Sequence, residues 1–408
     1  MSDPLPLGDL KARAVGLDIA DSLALFRDRF LPTDDVVAYF DGNSLGRPPR
    51  ATARALETFV TEQWGGRLIR GWDEGWVELP VTVGDEVAAV VLGAAPGQTV
   101  VADSTSVNLF KVLHAACDLR PDRDEIVVDT TNFPTDRYLV EGVAAQRGMT
   151  VRWLEPDLVE HVTTGGLAEV LGERTAVVAL SHVDYRSAAI LDVAGITAQV
   201  HAAGGLVVWD LCHSVGVLPI AQDADDVDFA VGCTYKYLDA GPGAPAFLYV
   251  AARHLAAVTQ PIPGWWSAVD LFAMADSYTA APDIRRMLSG TPNVMGILAA
   301  REGVRLVGEA GIDAIRTKSV ALTDFLLELL GLLDVTVLSP RDSARRGSHV
   351  TIQVPDATEA AKRLGERGVI PDVRRPDLLR LGLSPLSTSF TEVFEGWAVL
   401  AEVLESGH

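Results

Sequence analysis

The run Val227-Asp228-Phe229-Ala230-Val231-Gly232-Cys233-Thr234-Tyr235-Lys236-Tyr237-Leu238-Asp239-Ala240-Gly241-Pro242-Gly243-Ala244-Pro245 is the most informative stretch in the chain. Val227–Val231 is short and mostly apolar, as a buried strand is. Gly241–Pro245 reads as a Gly/Pro loop. Between them stands Lys236 with a tyrosine on either side, an odd choice for a solvated turn. Lysine is the side chain that condenses with an aldehyde, and burial favours the uncharged, nucleophilic amine. A surface lysine with an exposed head is the commoner fate of a single lysine. Here the aromatic neighbours and the preceding strand favour chemistry. Gly241-Pro242-Gly243 imitates a nucleotide loop only superficially, because Ala246–Val250 behind it reads as strand and not as helix.

Outward from that run, further strand candidates lie at Thr99–Ala102, Glu125–Asp129, Ala176–Leu180 and Leu206–Asp210. Helical patterns separate several of them. Thr105–Cys117 places Val107, Phe110, Leu113 and Cys117 on one face, and Ile196–Ala203 stops at Gly204-Gly205. Strands buried on both faces and joined by helical crossovers imply a parallel sheet in an α/β domain. Upstream, Ala53–Trp64 is a helix candidate behind Pro48-Pro49. Downstream of Thr291-Pro292 a long helical region runs to about Leu333, broken near Gly308–Gly311. Strand candidates Asp334–Leu338 and His349–Val354, a helix Thr358–Arg367, a strand Leu378–Leu381 and a helix Thr391–Leu404 follow. This tail reads as a second, smaller α/β unit.

Ligands of an open parallel sheet gather at the carboxyl ends of its strands. After Thr99–Ala102 come Asp103-Ser104-Thr105-Ser106 and a helix start, either a phosphate seat or a plain N-cap. After Glu125–Asp129 comes Asn132-Phe133-Pro134-Thr135-Asp136, with an aromatic ring that could stack on a flat cofactor or pack in the core. Ser181-His182 follows the next strand, and Asp210-Leu211-Cys212-His213 the one after it. An aspartate at the mouth of a buried strand needs a hydrogen bond or a cation, such as a protonated ring nitrogen. Singly each signal is weak. Together they meet the demands of pyridoxal phosphate: a lysine, an anion for the pyridinium, a stacking ring and a phosphate seat.

Composition narrows the classes. Among 408 residues, 48% are apolar and 22% charged, and acidic side chains outnumber basic ones 55 to 34, a net charge of −21. That balance speaks against nucleic-acid and anionic-membrane partners, which need clustered Lys and Arg. Three cysteines, none in a Cys-x-x-Cys pair, make no disulfide framework. The N-terminus lacks a signal-peptide pattern and no apolar stretch approaches membrane-spanning length, so a soluble cytoplasmic enzyme is expected. No Gly-x-Gly-x-x-Gly follows a strand, no Walker loop or His-Glu-x-x-His occurs, and eight scattered histidines suggest no metal site.

The chain resembles the kynureninase family, pyridoxal phosphate enzymes of the class V aminotransferase group with the aspartate aminotransferase-like type I fold. The likeness covers most of the chain. It is densest in Tyr39-Phe40-Asp41-Gly42-Asn43-Ser44-Leu45-Gly46, Ser106-Val107-Asn108-Leu109, Phe133-Pro134-Thr135-Asp136, Trp209-Asp210-Leu211-Cys212-His213-Ser214, Thr234–Leu238 and Gly241–Tyr249. The resemblance implies a large domain with a mainly parallel seven-stranded sheet (residues 49–291) and a smaller C-terminal α/β domain with its linking helix (292–408). Residues 1–48 would pack with the small domain. It implies that Lys236 holds the cofactor and shuttles protons, and that Asp210 pairs with the pyridine nitrogen beside His213. Phe133 would stack on the ring, Asp136 and Ser181 would bond near its substituents, and Thr105, Ser106 and Tyr235 would seat the phosphate. Tyr235 would also transfer protons. Trp265 and Thr291 would complete the site of a neighbouring subunit, hence a homodimer. Arg380 would clamp the substrate carboxylate, a task suited to a guanidinium fork. Asn43 and Trp72 would border the substrate. The implied reaction is hydrolytic β,γ-cleavage of L-kynurenine or its 3-hydroxy form to an anthranilate and L-alanine, a step of tryptophan breakdown. Two other readings are a class V lyase or aminotransferase acting on another amino acid, and a cofactor-binding homologue without turnover. A cysteine desulfurase needs a late nucleophilic cysteine, and none follows Cys233. The family usually has Asn-Gly where Asp239-Ala240 stands, so an altered loop backbone is expected there, since glycine tolerates positive φ and alanine does not.

Overall fold

Short apolar runs become strands because each can bury both faces under helices. A computed structural model describes residues 7–156 and 161–406. In chain order the elements are α1 (Leu7–Ala20), β1 (Ala38–Phe40), α2 (Arg50–Thr58), α3 (Gly65–Arg67), α4 (Leu79–Val87), β2 (Thr99–Ala102), α5 (Thr105–Asp118), β3 (Glu125–Asp129), α6 (Pro134–Arg147), β4 (Thr150–Leu154), α7 (Thr164–Val170) and β5 (Thr175–Ser181). There follow α8 (Val193–Ala202), β6 (Leu206–Asp210), β7 (Phe229–Gly232), β8 (Ala246–Val250), α9 (Val294–Ala310), α10 (Ile312–Leu330), β9 (Thr336–Val337), β10 (His349–Gln353), α11 (Ala357–Gly365), β11 (Val369–Arg374), β12 (Leu378–Gly382) and α12 (Phe390–Glu405).

Seven strands form one sheet in the order β2-β8-β7-β6-β5-β3-β4. From β7 through β4 all neighbours are parallel, and β8 runs antiparallel to both β7 and β2. Side chains alternate between two cores, as the strand pleat requires. Val127, Val178, Val207 and Trp209 enter one; Ile126, Val128, Val177 and Val208 enter the other. The remaining strands form a second sheet, β1-β11-β12-β10-β9. Its core takes Phe40, Phe325, Leu379 and Phe394, together with Leu10 and Ala14 of α1. The N-terminal strand β1 thus joins the C-terminal sheet, pairing in parallel with β11. Among the described residues no helix is long and apolar enough to cross a membrane, and no cluster of metal-ligating side chains occurs.

Boundaries move where tertiary contacts outweigh local pattern. The strand expected at Val227–Val231 pairs over Phe229–Gly232. The helix expected from Ile196 begins at Val193, because the Asp192 carboxylate caps it by accepting from the Gly195 N–H at 3.0 Å. The helix expected over Ala53–Trp64 begins at Arg50 and changes to a wider turn at Phe59. The strand expected at Asp334–Leu338 pairs only over Thr336–Val337.

Candidate active site

The carboxyl ends of the central strands lie level, with Ser181 opposite Asp210 and Asp210 opposite Val231. Residues just beyond β3, β5, β6 and β7 therefore converge. The Nζ of Lys236 lies 3.2 Å from Nε2 of His213. Burial, with the Lys236 charge beside it, holds the His213 imidazole well below the usual histidine range, so the ring is neutral. The Asp210 carboxylate accepts from the Cys212 N–H at 2.6 Å. Asp136, in the first turn of α6, meets Asp210 carboxyl to carboxyl. Burial, and then the Asp210 charge, pushes the Asp136 carboxyl well above the carboxylate range, while the Lys236 charge opposes the shift. Two buried acids in contact need a proton or a cation. Phe133 opens α6 and sits edge-on to Tyr185, with ring centres 5.3 Å apart. Ser181 Oγ donates to Asn132 Oδ1 at 2.8 Å, which leaves the buried Asn132 Nδ2 without a protein acceptor. Thr105 and Ser106 stand in the first turn of α5, behind Ser104, whose hydroxyl caps the helix. Thr105 Oγ1 lies 3.8 Å from Cys212 Sγ, so this helix start reaches the Asp210 end of β6.

A second cluster adjoins the first. The Tyr235 carbonyl accepts from the Gly46 N–H at 2.8 Å. Burial, and then the neighbouring Cys233 and Cys212, hold the Tyr235 phenol well above its usual range, so it stays protonated. A Cβ on Gly46 would lie 2.3 Å from the Lys236 carbonyl, and one on Gly382 would lie 1.8 Å from the Asn43 amide. The Gly42–Gly46 loop thereby fits between the lysine loop and β12. Arg380 of β12 is fully buried. Its guanidinium donates to the Asp372 carboxylate, to the Tyr185 carbonyl and, at 3.0 Å, to Ser44 Oγ. With the Asn43 amide oxygen turned toward it, Nη2 and Nε also donate there, at 3.2 and 3.3 Å. The arginine expected as an open clamp is therefore engaged on every side.

The structure also brings in His349 of β10, which the sequence reading passed over. Its ring centre is 5.9 Å from that of His213. Burial, and then the Arg380 charge, keeps its imidazole neutral too. Only the pairing of β10 with β12 carries it there, with His349 opposite Gly382, and Gly-Ser-His-Val has no local signal for such a role. Trp265 and Thr291 are exposed and join none of these residues within the chain. Trp72 is half-buried and packs edgewise on Trp76 and Trp266, so it belongs with the Trp265 segment and not with the Lys236 cluster. The loop after the lysine departs from expectation in a simple way. The positive φ falls on Asp239 (52°), a residue type that tolerates it, while Ala240 keeps an ordinary backbone. Replacing the usual glycine therefore does not strain this loop.

A phosphorylated pyridine aldehyde suits these residues. Lys236 would meet the aldehyde, Asp210 with Asp136 beside it would meet a protonated ring nitrogen, the α5 N-terminus would meet a phosphate, and the orphaned Asn132 Nδ2 would meet an acceptor. Residues 81–370 match the family model "Aminotransferase class-V". The chain is 40% identical over 402 residues to a kynureninase of Pseudomonas fluorescens, covering 96% of this chain and 94% of that one. It is 38% identical over 406 residues to a kynureninase of Burkholderia pseudomallei, covering 97% and 96%. Among solved structures it is similar to a cysteine desulfurase of Thermococcus onnurineus, with a TM-score of 0.82, 20% identity and coverage of 93% and 97%. A cysteine desulfurase of Escherichia coli gives a TM-score of 0.82, 20% identity and coverage of 94% and 99%. At that identity the likeness concerns the fold.

Proposed function

The chain belongs to the kynureninase family within the class V aminotransferases, and from that premise we propose how its residues divide the work of the family reaction. The reaction is hydrolytic cleavage of the β,γ carbon–carbon bond of L-kynurenine, or of its 3-hydroxy form, to an anthranilate and L-alanine. The cofactor is pyridoxal phosphate, which supplies an electron sink for negative charge at the substrate α-carbon.

The ε-amine of Lys236 holds the cofactor aldehyde and, once freed, moves the α-proton. Neutral His213, 3.2 Å away, accepts its hydrogen bond and steers it. Asp210 would pair with the ring nitrogen and keep it protonated, and Asp136, in contact with Asp210, would bond near the ring substituents while its raised pKa keeps it from adding a second charge. Phe133 would cover the ring, Ser181 and Asn132, bonded to each other, would fix its substituents, and Thr105 and Ser106 at the start of α5, with Tyr235, would receive the phosphate. Tyr235 donates its phenolic proton within the same site. Asn43 and Arg380 hold the substrate amino-acid end. A second copy supplies Trp265 and Thr291, with Trp72 behind them, so the working unit is a homodimer in the cytoplasm, without nucleic-acid or membrane partners. Residues 49–291 form the cofactor-binding domain, and the chain from 292 onward forms the linking helix and the small domain; of the described N-terminal residues, Leu10 and Ala14 pack into the small domain, whereas Leu23 and Phe30 pack into the core of the large one.

The observation that carries this reading is the convergence of Lys236, His213, Asp210 and Asp136 at the ends of adjacent strands. Cofactor-loaded protein incubated with L-kynurenine should release anthranilate, detected by its fluorescence. Lys236→Ala should lower turnover at least ~1000-fold, the scale on which removal of a nucleophile or general base acts. Absence of anthranilate from loaded wild-type protein would overturn the assignment.

A further inference from the structure

Asp372 of β11 and Arg380 of β12 are opposite each other in the antiparallel register, so both side chains leave the same face of the small sheet. A single oxygen of Asp372, Oδ2, takes both Nε and Nη2 of Arg380, and so covers the edge of the guanidinium that could grip a ligand carboxylate with two bonds. Nη1 serves the Tyr185 carbonyl, and Ser44 shares Nη2 at 3.0 Å. A ligand carboxylate thus meets an internal carboxylate already in its place. Asp372 has a second cation within reach, however. Arg374 Nη2 lies 3.0 Å from the same carboxylate, and Arg374 Nε is buried without any acceptor. Arg374 also lies over the Tyr185 ring, which touches Phe133.

We propose that Asp372 is a specificity-determining stand-in for the substrate carboxylate: it occupies Arg380 in the empty site and passes to Arg374 when a ligand brings a carboxylate of its own. Arg374 would then hold both oxygens through Nη2 and the vacant Nε, and Arg380 would exchange one carboxylate for another. The exchange keeps the buried guanidinium paired throughout, whereas leaving it unpaired would cost several kcal/mol. A ligand whose carboxylate is replaced by a neutral amide cannot take Asp372's place, so the site selects free amino acids over their amides. This rests on Arg380 being the carboxylate clamp proposed above.

The test titrates the holoenzyme with L-alanine and with L-alaninamide, read by the absorbance of the bound cofactor. Asp372→Asn should bind L-alanine about tenfold more tightly, a change of roughly 1.4 kcal/mol, and bind the amide as the wild type does. Arg374→Met, which removes the second partner, should bind L-alanine about tenfold more weakly. The double variant should match Asp372→Asn, a coupling that a merely orienting role would not produce. Weaker or unchanged L-alanine binding in Asp372→Asn would overturn the proposal and leave Asp372 as a support for Arg380. If Asp372→Asn does not fold, unchanged binding in Arg374→Met overturns it equally. Arg380→Gln serves as the separate arm: unchanged L-alanine binding there would refute the clamp itself and not the exchange.

Discussion

His182, His213 and His349 are buried imidazoles kept neutral by their surroundings, His182 with its pKa lowered to about 4 by burial alone. A neutral imidazole at the Lys236 amine can accept a proton, whereas an imidazolium would repel the ammonium form. The sign of the linkage follows. The unfolded chain binds protons at these rings as pH falls through about 6.5, and the folded chain does not. Folding stability therefore declines as pH drops below that value, and the decline continues until the folded-state pKa values are reached. Thermal unfolding of the wild type followed from pH 7.5 to pH 5.5 should show a falling melting temperature. His349→Gln should flatten that slope while leaving the fold intact. A slope unchanged in the variant would mean that His349 titrates normally. At this scale the sequence was most readable where residue type alone specifies chemistry, as with Lys236, Asp210 and Asp136. It was silent about His349 and Asp372, because what matters for the first is His213, far away in the chain, and for the second Arg380, opposite it in the strand register.

The lysine loop depends on a helix that carries none of the chemistry. Gly303 lies in α9, and a Cβ there would come 1.6 Å from the Leu238 carbonyl, two residues past Lys236. Backbone cannot yield as a side-chain tip can, so either the helix or the loop must shift. Gly303→Ala should cost about 2 kcal/mol by thermal or denaturant unfolding, in the range of overpacked cores. It should also lower kcat for anthranilate release, since the shift falls on Lys236 and its contact with His213. Full stability with full activity would show that α9 accommodates the methyl group. No periodicity marks Gly303 as special; helix and loop meet only in the folded chain. The same distinction explains which elements could be read. β3, β6 and β8 are five-residue runs buried along their length, and hydrophobicity identifies them. β4 alternates exposed and half-buried positions at the sheet edge and includes Arg152 and Trp153, while β1 has three residues. Those strands exist because a neighbour pairs with them, and their composition says little.

At the scale of the molecule, the apolar surface is unevenly spent. Trp265, Val269, Phe272, Met274 and Tyr278 are exposed within one segment, which also lines a cavity of about 460 Å³. Trp265 belongs to that surface, packing edgewise on Trp266 and Phe272, and Thr291 is exposed. An apolar patch of this kind suits an interface, and the proposed homodimer would use it if each copy's segment faces the other copy's site. The charge of −21 bears on none of this: the buried Arg380 and the helix start of α5 offer positive charge locally, inside an acidic protein. If sites are shared, two chains defective in different halves of the site should repair each other. A Lys236→Ala chain lacks the cofactor lysine but can lend an intact Thr291; a Thr291→Asp chain keeps the lysine but sets a negative charge in its partner's site. Each alone should be nearly inactive. Unfolded together in equal amounts and refolded, they should recover roughly a quarter of wild-type activity, because half of the dimers are mixed and each mixed dimer has one complete site. Recovery near zero, with mixed dimers shown by native mass spectrometry, would mean that Thr291 serves its own chain's site. The two chains are then independent catalysts, and the exposed aromatic segment has another role.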